Sequence, residues 1–254
     1  MMNSKQLIEL CQALRLKGFA EALMQQFESH QFDDASFEER LTHLLVAQQD
    51  FEINRKIANL TARAKLRWPN ARVSEIDYLL HPNLKRHQIQ KLAECQWITH
   101  YQHIILHGAT GTGKTYIACA IANEALHKTH RVMFIRFQSL LLKMQAAHNE
   151  GEFEKFRNWV KKIEVLVLDD WGVALLDNVA RHLLFEIIES RDQRSSLIIT
   201  SQYPVGDWYD AFQDQTIADS TLDRIVHGAH ILHLKGESIR RRRRGSRHSK
   251  VDKP

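Results

Sequence analysis

The sequence predicts an α/β fold: a parallel five-stranded sheet covered by helices on both faces, preceded by a small helical domain. Two observations carry this. From residue 103 onward, short apolar or β-branched runs alternate with helical segments. Before residue 70 the apolar spacing is helical throughout. Strand–helix–strand repetition requires right-handed crossovers, and these produce a parallel sheet with both faces covered.

Each element has its own signal. Leu7, Leu10, Leu14, Phe19 and Leu23 approximate helical spacing, with Gly18 expected as a break or bend. A second helical pattern runs from Phe37 to Leu66, and Ser36 followed by Glu39 forms a capping box at its start. Trp68-Pro69-Asn70 is expected to end it. The strand candidates are HIILH (103–107), RVMFIRF (131–137), EVLVLDD (164–170), SLIITS (196–201) and HILHL (230–234). Helical periodicity fills Lys114–Lys128, Ser139–Ala147 and Asn178–Arg191 between them, and ADSTLDRIVH reads as a further helix. The expected domains are therefore a helical N-terminal domain at 1–70, a connecting segment at 71–102, the α/β core at 103–239 and a basic tail at 240–254. That tail, rich in arginine, cannot pack into a core and reads as disordered.

Composition excludes several classes. The chain has 254 residues, 44% hydrophobic and 26% charged, as ordinary soluble proteins do. No apolar run is long enough to span a membrane, and MMNSKQLIEL lacks the apolar centre of a secretory signal, so the expected location is cytoplasmic. Cys11, Cys95 and Cys119 are far apart and form no CxxC pair, and no HExxH occurs among the histidines; neither a disulfide framework nor structural zinc is indicated.

Charge is localised. From Lys235 onward nine Lys/Arg face two Asp/Glu, a net of +7 in a chain whose total is +5, so residues 1–234 sum to −2. A second basic run, NRKIANLTARAKLRWPNAR at 54–72, holds six Lys/Arg and no acid. Two basic patches on a nearly neutral body point to a polyanion, most simply nucleic acid. Arg55, Lys56, Arg63, Lys65 and Arg67 are the candidate DNA contacts.

The chemistry concentrates after the first strand. GATGTGKT, Gly108–Thr115, matches GxxxxGK[ST] between a strand and a helix, where a phosphate-binding loop belongs. Gly108 and Gly113 permit the tight backbone that turns N–H groups toward phosphate at a helix N-terminus. Lys114 reaches the β- and γ-phosphates, and the Thr115 hydroxyl ligates Mg²⁺. Ala109, Thr110, Gly111, Thr112 and Tyr116 complete the candidate nucleotide contacts. EVLVLDDWG then describes a buried strand with carboxylates at its tip. Asp169 would hold magnesium through its water shell, and Asp170 would orient or deprotonate an attacking water. SLIITSQYP ends in polar residues at the same sheet edge, where Gln202, or else Ser201, could meet the γ-phosphate. Arg224 could stabilise charge at a neighbour's γ-phosphate, and Arg240 could sense nucleotide within its own subunit.

These segments together resemble a known family. GATGTGKTYIA, LVLDDWG, IITSQYPVGDW, ADSTLDRIVH and LKGESIRR are similar to the signature segments of the IstB insertion-sequence transposition helpers, AAA+ ATPases akin to the helicase loader DnaC and the initiator DnaA. LCQALRLKGFAEAL and the following basic helix resemble that family's helical leader, so the likeness covers nearly all of residues 5–244. It implies an AAA+ core without a large C-terminal lid, ATP and Mg²⁺ as cofactors, and ATP hydrolysis. It implies duplex DNA bound with little sequence preference, a homo-oligomer partly held by the N-terminal helices, and a cognate transposase as partner. It also implies roles: Lys114, Thr115, Asp169 and Asp170 at the Walker positions, Gln202 at sensor 1, Arg224 as arginine finger in trans, and Arg240 as sensor 2. A replicative helicase loader, and an ATP-gated scaffold with little hydrolysis, remain open on the same core. A small-molecule phosphotransferase would need an acceptor pocket and an arginine-bearing lid segment that the sequence does not show.

Overall fold

The computed structural model describes residues 3–172 and 176–236. Arg240 and the arginine run lie outside the described residues. The chain divides into two compact units, Met1–Asn59 and Leu60–Pro254.

The first unit contains α1 (Ser4–Ala13), α2 (Lys17–Glu28) and most of α3 (Phe37–Ala64). Asn3 and Gln6 form a capping box at the start of α1. The Ser36–Glu39 box expected at α3 is present, with the Ser36 N–H donating to Glu39 Oε2 at 2.8 Å and the Glu39 N–H to Ser36 Oγ at 3.2 Å. Cys11, Ala20, Ala22, Leu23 and Leu44 form its small core. The expected break at Gly18 is corrected. The chain turns at Leu14–Leu16, with Arg15 left-handed at φ +63°, and Gly18 lies inside α2. A Cβ on Gly18 would come within 2.5 Å of Phe51 Cβ and 2.6 Å of the Ala47 carbonyl, so glycine is there because two helices touch.

The second unit begins at Leu60 rather than after residue 70. Leu60, Ala64, Leu66 and Ala71 all pack into its core, which is why the end of α3 goes with it. The helix stops at Ala64, ahead of Trp68-Pro69-Asn70, because Lys65 takes a left-handed conformation (φ +53°). Two short 3₁₀ turns at 73–75 and 78–80 lead into α4 (Arg86–Ala93) and α5 (Gln96–Thr99). Then follow β1 (Ile104–Gly108), α6 (Lys114–His127), β2 (Val132–Arg136), α7 (Phe137–Asn149), α8 (Phe153–Lys161) and β3 (Val165–Trp171). The core closes with α9 (Asn178–Arg191), β4 (Ser196–Ser201), a 3₁₀ turn at 205–211, α10 (Gln215–Val226) and β5 (His230–Leu234).

All five strands are parallel, in the order β2-β3-β4-β1-β5. Residues on alternate positions face opposite layers. Ile104, Leu106, Val165 and Val167 pack toward α4, α5 and α6, while Ile105, Leu166, Leu168 and Ile199 pack toward α7–α10. Burial on both faces explains why these strands are unbroken apolar runs. The order puts β4 between β1 and β3. The loop after β1 and the aspartates ending β3 therefore share the carboxyl edge of the sheet with Thr200 and Gln202, where α/β folds bind ligands.

Candidate functional site

The site starts from two glycines. Gly108 has φ +148°, and a Cβ there would meet the Leu234 carbonyl at 2.2 Å; any other residue would push β1 and β5 apart. Gly113, at φ +88°, is the N-cap of α6 and offers no side chain to the helix's first N–H groups. Those groups and the positive end of the helix dipole are left for an anion.

Within the loop, the Lys114 Nζ donates to the carbonyls of Gly108 at 2.6 Å and Ala109 at 2.8 Å. Thr112 is fully buried and closes the loop by donating to the Ala109 carbonyl at 2.8 Å. Thr110, Gly111, Gly113, Lys114, Thr115 and Tyr116 line a cleft of about 1220 Å³, together with Asp170 and Gln202. Gly108, Ala109 and Thr112 shape the loop from behind.

One hydroxyl organises the two aspartates. Thr200 Oγ1 donates to Asp169 Oδ1 at 2.7 Å and accepts from the Asp170 N–H at 3.1 Å. Asp170 is left-handed, φ +60°, at an irregularity in the β3–β4 register between Leu168 and Trp171. Such a kink re-aims a side chain, and here it turns Asp170 into the cleft while Asp169 stays fully buried beside the loop. Thr115 Oγ1 donates to Asp169 Oδ1 at 2.7 Å. Asp169 Oδ2 is buried and accepts no hydrogen bond among the described residues.

That oxygen tests the fit of a metal. A hydroxyl and an incompletely used carboxylate, side by side at a phosphate loop, are the hard oxygen donors magnesium takes, with water and phosphate supplying the rest.

The remaining wall was not legible as a motif. Arg67, Trp68, Glu75, Ile76, Asp77, Leu80, His81 and Arg136 also line the cleft. Tyr116 donates to Glu75 Oε2 at 2.7 Å and packs edge-on against Trp68, with centroids 6.3 Å apart. Burial pushes the His81 pKa below its ordinary value, and its buried Nδ1 has no hydrogen-bond partner among the described residues. The wall thus combines aromatic surface with polar atoms, as a nucleobase requires.

Gln202 stands at the β4 edge as expected, its Oε1 accepting from Thr110 Oγ1 at 2.7 Å. Ser201, the other candidate, is buried. Its hydroxyl donates to the Trp171 carbonyl and accepts from Trp208 Nε1 and the Tyr203 N–H, so it braces the strand end. Among the basic candidates, Arg55, Lys56, Arg63 and Lys65 are exposed, with Arg55 paired to Glu52. Arg67 is exposed as well and in addition lines the cleft, its Nη1 3.6 Å from Asp169 Oδ2.

Arg224 lies elsewhere. It is near the end of α10, over the Phe185 ring at 5.3 Å, with Glu189 at 3.6 Å and Asp192 at 4.0 Å. The β5 strand that follows starts at His230, paired with Ile104 at the opening of β1, whereas the phosphate loop leaves β1 at Gly108. Arg224 is thus at the other end of the sheet from its own loop, about 13 Å away along the strand alone.

Comparison with known proteins decides the family. The profile of the IstB-like ATP binding protein family matches residues 9–247. The chain belongs to this family. IstB-like relatives include the insertion-sequence ATP-binding protein y4pL of Sinorhizobium fredii, 35% identical over 229 residues, covering 90% of this chain and 93% of that one. Another is the ATP-binding protein of insertion sequence IS5376 from Geobacillus stearothermophilus, 31% identical and covering 92% and 93%. Among solved structures, the DnaC helicase loader superposes with a TM-score of 0.56 at 23% identity, over 66% of this chain and 99% of that one. AMPPCP-bound DnaA from Aquifex aeolicus gives 0.56 at 20% identity, over 72% and 55%. These likenesses establish the IstB-like chain as an AAA+ P-loop fold. The cleft is accordingly that of an ATP-binding protein.

Proposed function

We propose that this IstB-like protein is a magnesium-dependent ATPase that assembles on duplex DNA with little sequence preference and assists the transposase of its insertion sequence. The position of Arg224, at the end of the sheet remote from its own phosphate loop, carries the reading. A guanidinium there serves a nucleotide only in a neighbouring copy, so the reading requires a homo-oligomer with ATP at its interfaces.

Each residue then has a task. Lys114 exchanges the Gly108 and Ala109 carbonyls for the β- and γ-phosphates of ATP. Thr115 and Asp169 hold Mg²⁺, which when bound neutralises phosphate charge. Asp170 orients the attacking water and takes its proton as the water oxygen bonds to the γ-phosphorus, while the bond from that phosphorus to the β–γ bridging oxygen breaks and ADP leaves with the electron pair. The Gln202 amide donates to the γ-phosphate, and a neighbour's Arg224 offsets the charge spreading onto its oxygens. Arg240 is proposed to contact nucleotide in the same subunit. Arg55, Lys56, Arg63 and Lys65 are proposed to meet DNA phosphates, making the binding sequence-tolerant and salt-sensitive.

Turnover measured with and without duplex DNA, alongside particle size in ATP and in ADP, tests this. Larger particles in ATP, DNA-stimulated turnover and a steep fall in DNA affinity from low to moderate salt are expected. ATP-dependent particles whose DNA affinity ignores salt would contradict it. So would a tight complex with a replicative helicase and none with the transposase.

A further inference from the structure

The two oxygens of Asp169 are used unequally. Oδ1 accepts from Thr115 and Thr200, each at 2.7 Å, while Oδ2 is buried and accepts no hydrogen bond among the described residues. An enclosed carboxylate with an unbonded oxygen is costly unless a counter-charge stands by. Arg67 supplies that charge: Nη1 is 3.6 Å from Oδ2, too far for a hydrogen bond but close for a charge contact, with Asp169 fully enclosed and Arg67 34% exposed.

The backbone around Arg67 is fixed on both sides. Lys65 turns the chain out of α3, and Asn123 Nδ2 donates to the Pro69 and Ala71 carbonyls at 3.0 and 2.9 Å. The long side chain is therefore the part free to change partner.

We propose that Arg67 is the counter-ion of Asp169 and competes with magnesium for that carboxylate. Arg67 must release Asp169 before the carboxylate can serve the metal. A dication held by Thr115 and Asp169 would stand within a few ångströms of the guanidinium, and two cations that close repel strongly in a partly enclosed site. Arg67 shares its cleft with Lys114 and Thr115, so once released it faces the phosphate chain, an anion that a guanidinium binds well. The magnesium requirement for nucleotide binding is then tuned by a residue outside the phosphate-loop and aspartate motifs. This inference rests on the nucleotide-site reading above.

The test uses the full chain, a fluorescent ATP analogue and a magnesium titration of Arg67→Ala, Arg67→Lys and Lys114→Ala. Arg67→Ala should reach half-maximal binding at roughly tenfold less magnesium. Arg67→Lys, which keeps the charge, should stay near the parent. In EDTA without nucleotide, Arg67→Ala should lower the melting temperature, and the same change in an Asp169→Asn background should lower it little. An unchanged or raised magnesium midpoint in Arg67→Ala overturns the proposal, as does an equal melting loss in both backgrounds. Should Arg67→Ala not fold, Arg67→Gln carries the same titration. If Lys114→Ala loses binding and the Arg67 midpoint does not move, only the Arg67 inference falls. If Lys114→Ala binds like the parent, the nucleotide-site reading falls with it.

Discussion

Asp170 is held in a left-handed conformation that few side chains accept, at φ +60°, and its N–H is fixed by Thr200. Asparagine tolerates that conformation about as well as aspartate, so Asp170→Asn changes the chemistry and leaves the backbone alone. The variant should retain ATP-dependent assembly and lose turnover by at least a hundredfold, the usual contribution of a positioned base. Parental turnover would remove Asp170 from the mechanism. At this scale the sequence spoke where chemistry had fixed the spacing, as in Gly108–Thr115 and the two aspartates. It was silent on Thr200, whose hydroxyl reads in SLIITS as one more strand residue until β4 is seen beside β3. It gave no sign that Arg67, grouped with the candidate DNA contacts, also lines the cleft, because charge in a run says nothing about which way one side chain turns.

Elements were legible through apolar spacing: each of the five expected strands lies within one residue of its observed span at either end. The segment 71–102 was not, because 3₁₀ turns and two short helices leave no period to detect, yet it supplies much of the cleft wall. Gly18 was visible as a glycine and misread as a break, since the contact that demands it comes from residues 47–51, far along the chain. Gly18→Ala should therefore destabilise the α2–α3 packing by roughly 1–3 kcal/mol despite alanine's better helix propensity. Faster amide exchange across 17–28 would show it, and slower exchange would contradict the packing argument. His103 ties two strands, accepting from the Leu197 N–H through Nδ1 at 3.2 Å, and is pushed from 6.5 to about 4, chiefly by burial and next by Arg191. The folded value is below the unfolded one, so the neutral ring's contribution is complete above pH 6.5 and is lost as pH falls toward 4. That loss is on the order of 3 kcal/mol. His103→Gln should flatten stability between pH 6.5 and 4; an unchanged acid limb would assign the loss to other groups.

At the scale of the molecule, the sheet order separates two halves of one chemistry. The phosphate loop and its aspartates lie at the carboxyl edge, and Arg224 belongs to the opposite end. The sequence offered Arg224 for a neighbour's γ-phosphate; its distance from its own loop follows from its place at the end of α10, just before parallel β5 begins. Under the proposed function, a chain so arranged would complete its catalytic set by pairing with another copy, and nucleotide would then regulate assembly. The most direct measurement mixes two variants that are each inactive. Asp170→Asn has a dead site and an intact Arg224; Arg224→Ala has an intact site and no finger. Mixed one to one in ATP, they should recover about a quarter of parental turnover, the share of interfaces joining an intact site to an intact finger. A mixture as inactive as its components, or Arg224→Ala turning over like the parent alone, would contradict a site shared between subunits.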